Sequence, residues 1–141
     1  MKSDVLFFLF LTALLWGATP VLEKIGLGKT DAITGVTIRS LVVAVVLIIY
    51  VIIAGKAKAI FQTDAKTIII FSITGIMAGL LGMITYFIAL KRGAASQVVP
   101  IAGTYPLVAA VLSILILGEH VTLLRLAGTV LIIAGIWLVQ R

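Results

Sequence analysis

The sequence of 141 residues contains no cysteine, a single histidine and few charged side chains. Without cysteine the chain can form no disulfide, no thiolate nucleophile and no cysteine-ligated metal site. Charged residues make up 11% of the chain, against about 25% in ordinary soluble domains. Sixteen charges cannot cover the surface of a water-soluble fold of this size. These shortages exclude a cytoplasmic enzyme, a disordered chain and a secreted disulfide scaffold.

Apolar residues make up 62% of the chain, and its mean hydropathy is +1.32. Five stretches approach the roughly 20 apolar residues that a membrane crossing needs. Backbone groups inside lipid must be hydrogen-bonded internally, so these stretches are helices. The sequence therefore predicts an all-α, polytopic integral membrane protein, one domain over residues 1–141. Its five transmembrane helices are expected at residues 5–23, 33–54, 68–90, 95–117 and 121–139.

Lysine and arginine give the chain a net charge of +6 and lie mainly between the apolar stretches. This placement is typical of loops at a membrane surface, and no basic stripe suited to nucleic acid is present. With five spans, one side of the membrane carries Lys2, Lys56, Lys58, Lys66 and Arg125, and the other carries Lys24, Lys29, Lys91, Arg92 and Arg141. Because loop charge sets orientation, this balance permits insertion in both directions. Only Arg39, inside the second span, could favour the second side.

Local signals mark the helix ends. Serine, threonine and aspartate cap helix N-termini, and glycine follows C-termini. The predicted N-caps are Thr30 or Asp31 for the second helix and Thr63 or Asp64 for the third, and the predicted stops are Gly55 and Gly118.

Small residues in the third helix recur at steps of three and four. Gly75, Gly79 and Gly82 share this spacing with Ser72 and Tyr86. In lipid, small residues let two helix backbones approach closely. The pattern predicts a helix-packing face.

Two helices place polar groups at membrane depth. In the first, Trp16, Pro20 and Glu23 share one face, and Pro20 is expected to bend the helix. Glu23 could face the helix bundle or be solvated at the membrane surface. In the fourth, Pro100 and Pro106 predict a kinked helix of the kind that forms binding sites in transporters.

Arg39 lies about two turns inside the second span, where a charge is costly. The first and second helices form a hairpin, so Arg39 and Glu23 approach the same membrane surface and could form an ion pair. Arg39 could instead bind an anionic group of a solute. The side chains expected to face a cavity rather than lipid are Trp16, Glu23, Arg39, Tyr86, Gln97 and Tyr105.

No catalytic pattern is present in the sequence. The single histidine, His120, stands beside Glu119 without the spacing of a metalloprotease helix, and no nucleophile elbow occurs. The ionisable groups are too scattered for a metal site. We therefore expect no enzymatic activity, no metal and no cofactor.

The C-terminal third reads PIAGTYPLVAAVLSILILGEHVTLLRLAGTVLIIAGIWLV, with prolines and glycines in the order P…P…LGE…G…G. This order resembles the EamA family of the drug/metabolite transporter superfamily. The front half agrees less specifically, at Leu15-Trp16-Gly17 and Arg39. The matching residues of the closing pattern are Pro100, Pro106, Leu117, Gly118, Glu119, Gly128 and Gly135.

The resemblance implies a secondary, ATP-independent transporter of a small organic solute in the prokaryotic inner membrane. Family members usually join two inverted five-helix domains, and this chain resembles one of them. It therefore implies an antiparallel homodimer, or a heterodimer with a paralogous chain, surrounded by membrane lipid. It also implies that Glu119 caps the fifth helix and carries no solute. Two alternatives stay open: a flippase subunit for a lipid-linked sugar, and a non-transporting membrane subunit of a hetero-complex.

Overall fold

The computed structural model describes residues 3–118 and 122–139, and all regular secondary structure in these ranges is helical. This confirms the predicted all-α class. The elements are α1 (Ser3–Leu27), α2 (Ala32–Ile53), α3 (Ala57–Phe61), α4 (Ala65–Thr74), a π-helical segment (Gly75–Gly82), α5 (Met83–Arg92), α6 (Ala95–Ala102), α7 (Tyr105–Leu117) and α8 (Leu123–Val139).

Four helical stretches in the described ranges are long and apolar enough to cross a membrane: Asp4–Leu27, Ala32–Ile53, Ala65–Arg92 and Ala95–Leu117. They coincide with the first four predicted spans to within a few residues. The fifth predicted span contains α8, whose apolar part, Leu126–Val139, is shorter than the roughly 20 residues of a full crossing. A fifth crossing therefore stays a prediction.

The first helix is longer than the sequence indicated. Lys24, which was expected in the loop after the span, lies inside α1. The helix continues because Ile25 and Leu27 extend its apolar sequence, and Gly26 does not interrupt it. This extension brings Lys24 into the helical hairpin that α1 and α2 form.

The chain divides into two compact units, residues 1–91 and 92–141. In the first unit, residues 28–31 connect α1 to α2, and the C-terminal end of α5 is hydrogen-bonded to this hairpin. The buried apolar side chains of the unit gather at the same end. They are Leu27, Ala32, Val36, Phe87 and Leu90.

Gly35 of α2 lies at the closest approach of these helices. A Cβ built on Gly35 would stand 3.2 Å from two ring carbons of Phe87 and 3.4 Å from Cδ2 of Leu27. Both neighbours are almost fully buried. The absence of a side chain at Gly35 therefore lets the Phe87 ring lie directly against the backbone of α2.

Away from this end, the long helices present large apolar side chains outward along most of their length. Such a surface suits hydrocarbon rather than water. Threonines on these helices satisfy their hydroxyls within their own helix: Thr12 Oγ1 donates to the Phe8 carbonyl at 2.8 Å and Thr37 Oγ1 to the Ile33 carbonyl at 2.8 Å. Internal bonding of this kind is what a lipid environment requires.

The helix ends confirm the predicted caps. Asp31 accepts a hydrogen bond from the Thr34 backbone N–H at 3.0 Å, and Asp64 accepts one from the Thr67 backbone N–H at 3.0 Å. Gly55 and Gly118 have φ values of +64° and +65°. These left-handed conformations end α2 and α7, and glycine adopts them without strain.

The third crossing differs from the prediction in its middle. Gly75–Gly82 is π-helical, with i→i+5 hydrogen bonds that widen the turn. Residues three and four apart therefore do not stack as they would in an α-helix. Among the described residues, nothing outside the local helix lies within 4 Å of a Cβ built at Gly75 or Gly79. The packing role of Gly75, Gly79 and Gly82 stays a prediction.

The second unit contains the broken helix that the prolines predicted. Residues 103–104 form a turn between α6 and α7, in which Thr104 N–H donates to the Ile101 carbonyl at 3.1 Å. Pro100 lies inside α6, and Pro106 occupies the first turn of α7, where a missing N–H removes no helical bond. Helix α6 packs against α8, which carries Gly128 and Gly135. Glu119 lies outside the described residues.

Candidate functional site

The polar cluster of the first unit centres on an ion pair between α1 and α2. Arg39 Nε lies 3.8 Å from Glu23 Oε1, with the Glu23 side chain 11% exposed and the Arg39 side chain 47% exposed. The ion pair expected from the hairpin is therefore confirmed. The guanidinium is partly accessible, whereas the carboxylate is mostly buried.

Tyr86 of α5 is the third member of this cluster. Its hydroxyl lies within electrostatic range of the Glu23 carboxylate, and its ring is half-buried. The neighbouring Phe87 ring lies 6.2 Å away between centroids. Glu23 of α1 thus pairs with Arg39 of α2 and acts electrostatically on Tyr86 of α5.

Trp16 and Pro20 lie on α1 ahead of Glu23. Pro20 is buried, and α1 continues through it to Leu27. The Trp16 side chain is 65% exposed. A contact of Trp16 with a solute stays a prediction.

Two lysines join the hairpin to the end of α5. Lys24 Nζ donates to the carbonyls of Leu90 at 2.5 Å and Lys91 at 3.2 Å, which belong to the last turn of α5. Lys91 Nζ donates in return to the Thr30 carbonyl at 2.6 Å. Carbonyls of a last helical turn lack intrahelical partners, and cations there are favourable. The two lysines therefore fasten α5 to the hairpin that holds Glu23 and Arg39.

In the second unit, Gln97 lies on α6 and Tyr105 begins α7. Both side chains are exposed. Tyr105 follows directly after the turn at residues 103–104, so a break in the helix positions it. Their assignment to a solute cavity stays a prediction.

Two cavities among the described residues differ in both size and chemistry. The larger, of about 360 Å³, lies along α3 and α4 and is lined by Ile60, Thr63, Thr67, Ile68, Phe71 and Ser72. It contains no charged side chain. The smaller, of about 140 Å³, is lined by Lys24, Leu27, Gly28 and Lys91. Size alone is thus a poor guide to where a polar ligand would bind.

Sequence reasoning did not find Lys24 and Lys91 as a pair. They are 67 positions apart, and the hydrogen-bond partners described above are backbone carbonyls, which leave no sequence signal. The position of Lys24, one residue after Glu23, was the only available hint. Gly35 was missed for the same reason, because its partner Phe87 is distant in sequence.

Comparison with known proteins shows which family and which relatives the chain resembles. The model of the EamA-like transporter family matches residues 4–141. An uncharacterized protein of Methanocaldococcus jannaschii is 33% identical over 130 residues, covering 92% of this chain and 91% of that protein. An uncharacterized transporter in the cobO 3′ region of Sinorhizobium sp is 27% identical over 135 residues, covering 96% of this chain and 95% of that protein. No solved structure matches the chain.

A third relative is much longer. An uncharacterized transporter of Archaeoglobus fulgidus is 28% identical over 76 residues, which are 54% of this chain and 27% of that protein. Since 76 residues make up only 27% of it, that relative is about twice as long as this chain. Two relatives are therefore about as long as this chain, and the third is about twice as long.

Proposed function

Because the chain belongs to the EamA-like transporter family, we propose that it is a secondary, ATP-independent transporter of a small organic solute. Family membership and the apolar helices support a multi-pass membrane protein with a transport rather than an enzymatic role. Its bacterial and archaeal relatives support a location in the prokaryotic inner membrane.

The proposed transporter is a dimer of inverted five-helix halves, with α8 as the fifth crossing of each half. The observation that carries this proposal is the length of the relatives: this chain covers 91% and 95% of two of them, while a third is about twice as long. The outward-facing apolar side chains of the long helices leave ample surface for a second copy. An inverted second copy would supply the other half of a transport path.

The solute site in this proposal is the cluster of Glu23, Arg39 and Tyr86. Charged groups in membrane-spanning segments face protein or a water-filled path, and they mark functional sites. The Glu23–Arg39 contact is long and partly exposed, so a polar solute can approach it. Trp16, Gln97 and Tyr105 are proposed as further residues of the cavity.

The test is reconstitution of the purified chain alone into liposomes, followed by counterflow with a panel of radiolabelled amino acids and small metabolites. We expect accumulation of at least one solute without ATP, reduced at least tenfold in Glu23→Gln. Lys66→Gln, which changes one charge at the start of α4 and is exposed, is the matched control and should transport normally.

Other results would favour the remaining functions. Movement of a lipid-linked sugar without solute flux would indicate a flippase subunit. A well-folded chain that moves neither would indicate a non-transporting subunit, and the proposal would be withdrawn.

A further inference from the structure

The break between α6 and α7 lies inside a stretch that is long enough to cross the membrane, Ala95–Leu117. Gly103 stands eight positions after Ala95, which is about 12 Å of helix at 1.5 Å per residue. Backbone that departs from a regular helix at such a depth is tolerated only where protein or a water-filled path surrounds it. Pro100, Gly103 and Thr104 are half-buried. The break therefore lies in a setting that suits a polar site.

Pro106 removes one hydrogen bond from the end of α6. In an uninterrupted α-helix the carbonyl of residue 102 accepts from the N–H of residue 106. Proline has no N–H, so the Ala102 carbonyl has lost its helical donor. Pro106 also reduces the number of N–H groups that the first turn of α7 presents to the break. The break is thereby short of donors.

Hydrogen bonds across the break span three residues instead of four. The Thr104 N–H donates to the Ile101 carbonyl at 3.1 Å, and the Leu107 N–H donates to the Thr104 carbonyl at 2.9 Å. In an α-helix these two N–H groups would donate to the carbonyls of Pro100 and Gly103. Together with the carbonyl freed by the proline, three carbonyls within four residues lack the donor that a regular helix supplies.

Two further features leave oxygen atoms of the turn open. Gly103 has no side chain, and a Cβ built there would stand 3.1 Å from the Pro100 carbonyl oxygen. The Thr104 hydroxyl donates to the Ile101 carbonyl at 2.8 Å, so its oxygen keeps lone pairs for a second partner. Helices α6 and α7 contain no charged residue. The turn therefore offers several neutral oxygen atoms and no carboxylate or ammonium group of its own.

We propose that the turn at residues 103–104 binds a monovalent cation, sodium or potassium. Its ligands are the carbonyls of Pro100, Ala102 and Gly103 and the hydroxyl of Thr104, and water or solute oxygens complete the shell. Unwound carbonyls of broken transmembrane helices coordinate such ions in transporters, and carbonyl oxygens replace the hydration shell of potassium in channels. A divalent cation would call for carboxylates, which α6 and α7 lack.

The first experiment measures binding without transport, by thermal unfolding of the purified chain in neutral detergent. Sodium, potassium or N-methylglucamine chloride is added at equal ionic strength. We expect sodium or potassium to raise the unfolding midpoint above that in N-methylglucamine, because a ligand that binds only the folded state stabilises it. The salt with the higher midpoint identifies the ion. Equal midpoints in all three salts would overturn the proposal.

Substitutions at the turn locate the ion. Pro106→Ala restores an N–H for the Ala102 carbonyl, and Thr104→Val removes the hydroxyl oxygen, so each should lose at least half of the ion-dependent rise. Thr104→Ser keeps the oxygen and should retain the rise even where Thr104→Val unfolds more easily in every salt. Thr12→Val is the matched control, because it removes a hydroxyl that donates to a carbonyl within α1. A full rise in both Pro106→Ala and Thr104→Val, or its loss in Thr12→Val, would overturn the site.

In the proposed transporter this cation is the coupling ion, a role that rests on the proposed function, whereas binding does not. In proteoliposomes an inward gradient of the ion should raise solute uptake at least twofold in wild type and leave it unchanged in Thr104→Val. Solute uptake that ignores the gradient would overturn the coupling role and keep the proposed function. An ion-dependent midpoint without any solute flux would support the ion site and contradict the proposed function.

Discussion

A charged side chain in a membrane-spanning helix is costly, by about 2.5–3.5 kcal/mol at mid-membrane, and Arg39 lies in such a helix. Two features of the structure reduce this cost. Glu23 provides an opposite charge at 3.8 Å, and the Arg39 side chain is 47% exposed, which lets its guanidinium reach a polar surface. The pair therefore stabilises the hairpin of α1 and α2 while leaving one partner accessible.

The first prediction measures this stabilisation with a double-mutant cycle. Arg39→Ala, Glu23→Gln and the double variant should give a coupling free energy of about 1 kcal/mol, because the half-exposed arginine is screened by its surroundings. Unfolding of each purified variant by heat or denaturant in detergent provides the four values. Lys58→Ala, which removes an exposed cation from α3, should be neutral. A coupling near zero would mean that the pair adds nothing to stability.

The second prediction concerns Gly35. Alanine is about 1 kcal/mol more favourable than glycine in a helix, but its Cβ at position 35 would press on the buried Phe87 ring at 3.2 Å. Overpacking of this kind costs about 1–3 kcal/mol. Gly35→Ala should therefore lower the unfolding midpoint, whereas Gly17→Ala on α1, where nothing lies within 4 Å, should keep or raise it. Equal effects of the two substitutions on the unfolding midpoint would show that the Phe87 ring moves aside at little energetic cost.

Helix ends in this chain depend on aspartates that lie outside the crossings. Hydrogen bonds from Thr34, first from its hydroxyl and then from its backbone N–H, hold the pKa of Asp31 below its ordinary value. Hydrogen bonds from Thr67 lower the pKa of Asp64 in the same way. Since the ionised form is the better acceptor, each cap depends on pH.

The third prediction is the pH dependence of the Asp31 cap. A lowered folded pKa means that its contribution to stability is full above the unfolded value, about 3.9. The contribution is lost as the pH falls through the folded value. Asp31→Ala should therefore unfold more easily than wild type at neutral pH, and the difference should shrink in acid. Asp31→Asn, which keeps a capping oxygen without a charge, should show a weaker pH dependence. A constant difference between wild type and Asp31→Ala at every pH would contradict this.

Sequence reasoning located the elements well where their signals are local. Runs of apolar residues placed four crossings, Asp31 and Asp64 marked helix starts, and Gly55 and Gly118 marked helix ends. The π-helical segment was missed because Gly75, Gly79 and Gly82 fit α-helical spacing equally well. The lysine contacts of α5 were missed because carbonyl acceptors have no residue signature. The Glu23–Arg39 pair was found because a short hairpin places both residues at the same membrane surface.

At the scale of the whole molecule, the chain carries the outward apolar surface of a membrane protein and half the length of its longer relative. An inverted partner could come from a second gene or from the same chain inserted in the opposite direction. The charges favour the second origin. With five crossings, each membrane side carries five lysines and arginines, so the loops give no strong bias. We therefore predict that the chain inserts in both orientations.

The prediction is tested with single cysteines, which the natural sequence makes possible because it contains none. Thr30→Cys lies between α1 and α2, and Gln62→Cys follows α3, so the two sites flank the α2 crossing on opposite sides. Neither substitution alters the charge balance. An impermeant thiol reagent added to intact cells should label each site partially, with the two fractions together approaching complete labelling. Adding Gln62→Lys to the Thr30→Cys variant should shift the labelled fraction at residue 30, because a small charge difference decides orientation when the balance is close. Complete labelling at one site and none at the other would establish a single orientation. The inverted half would then have to come from a different, paralogous chain.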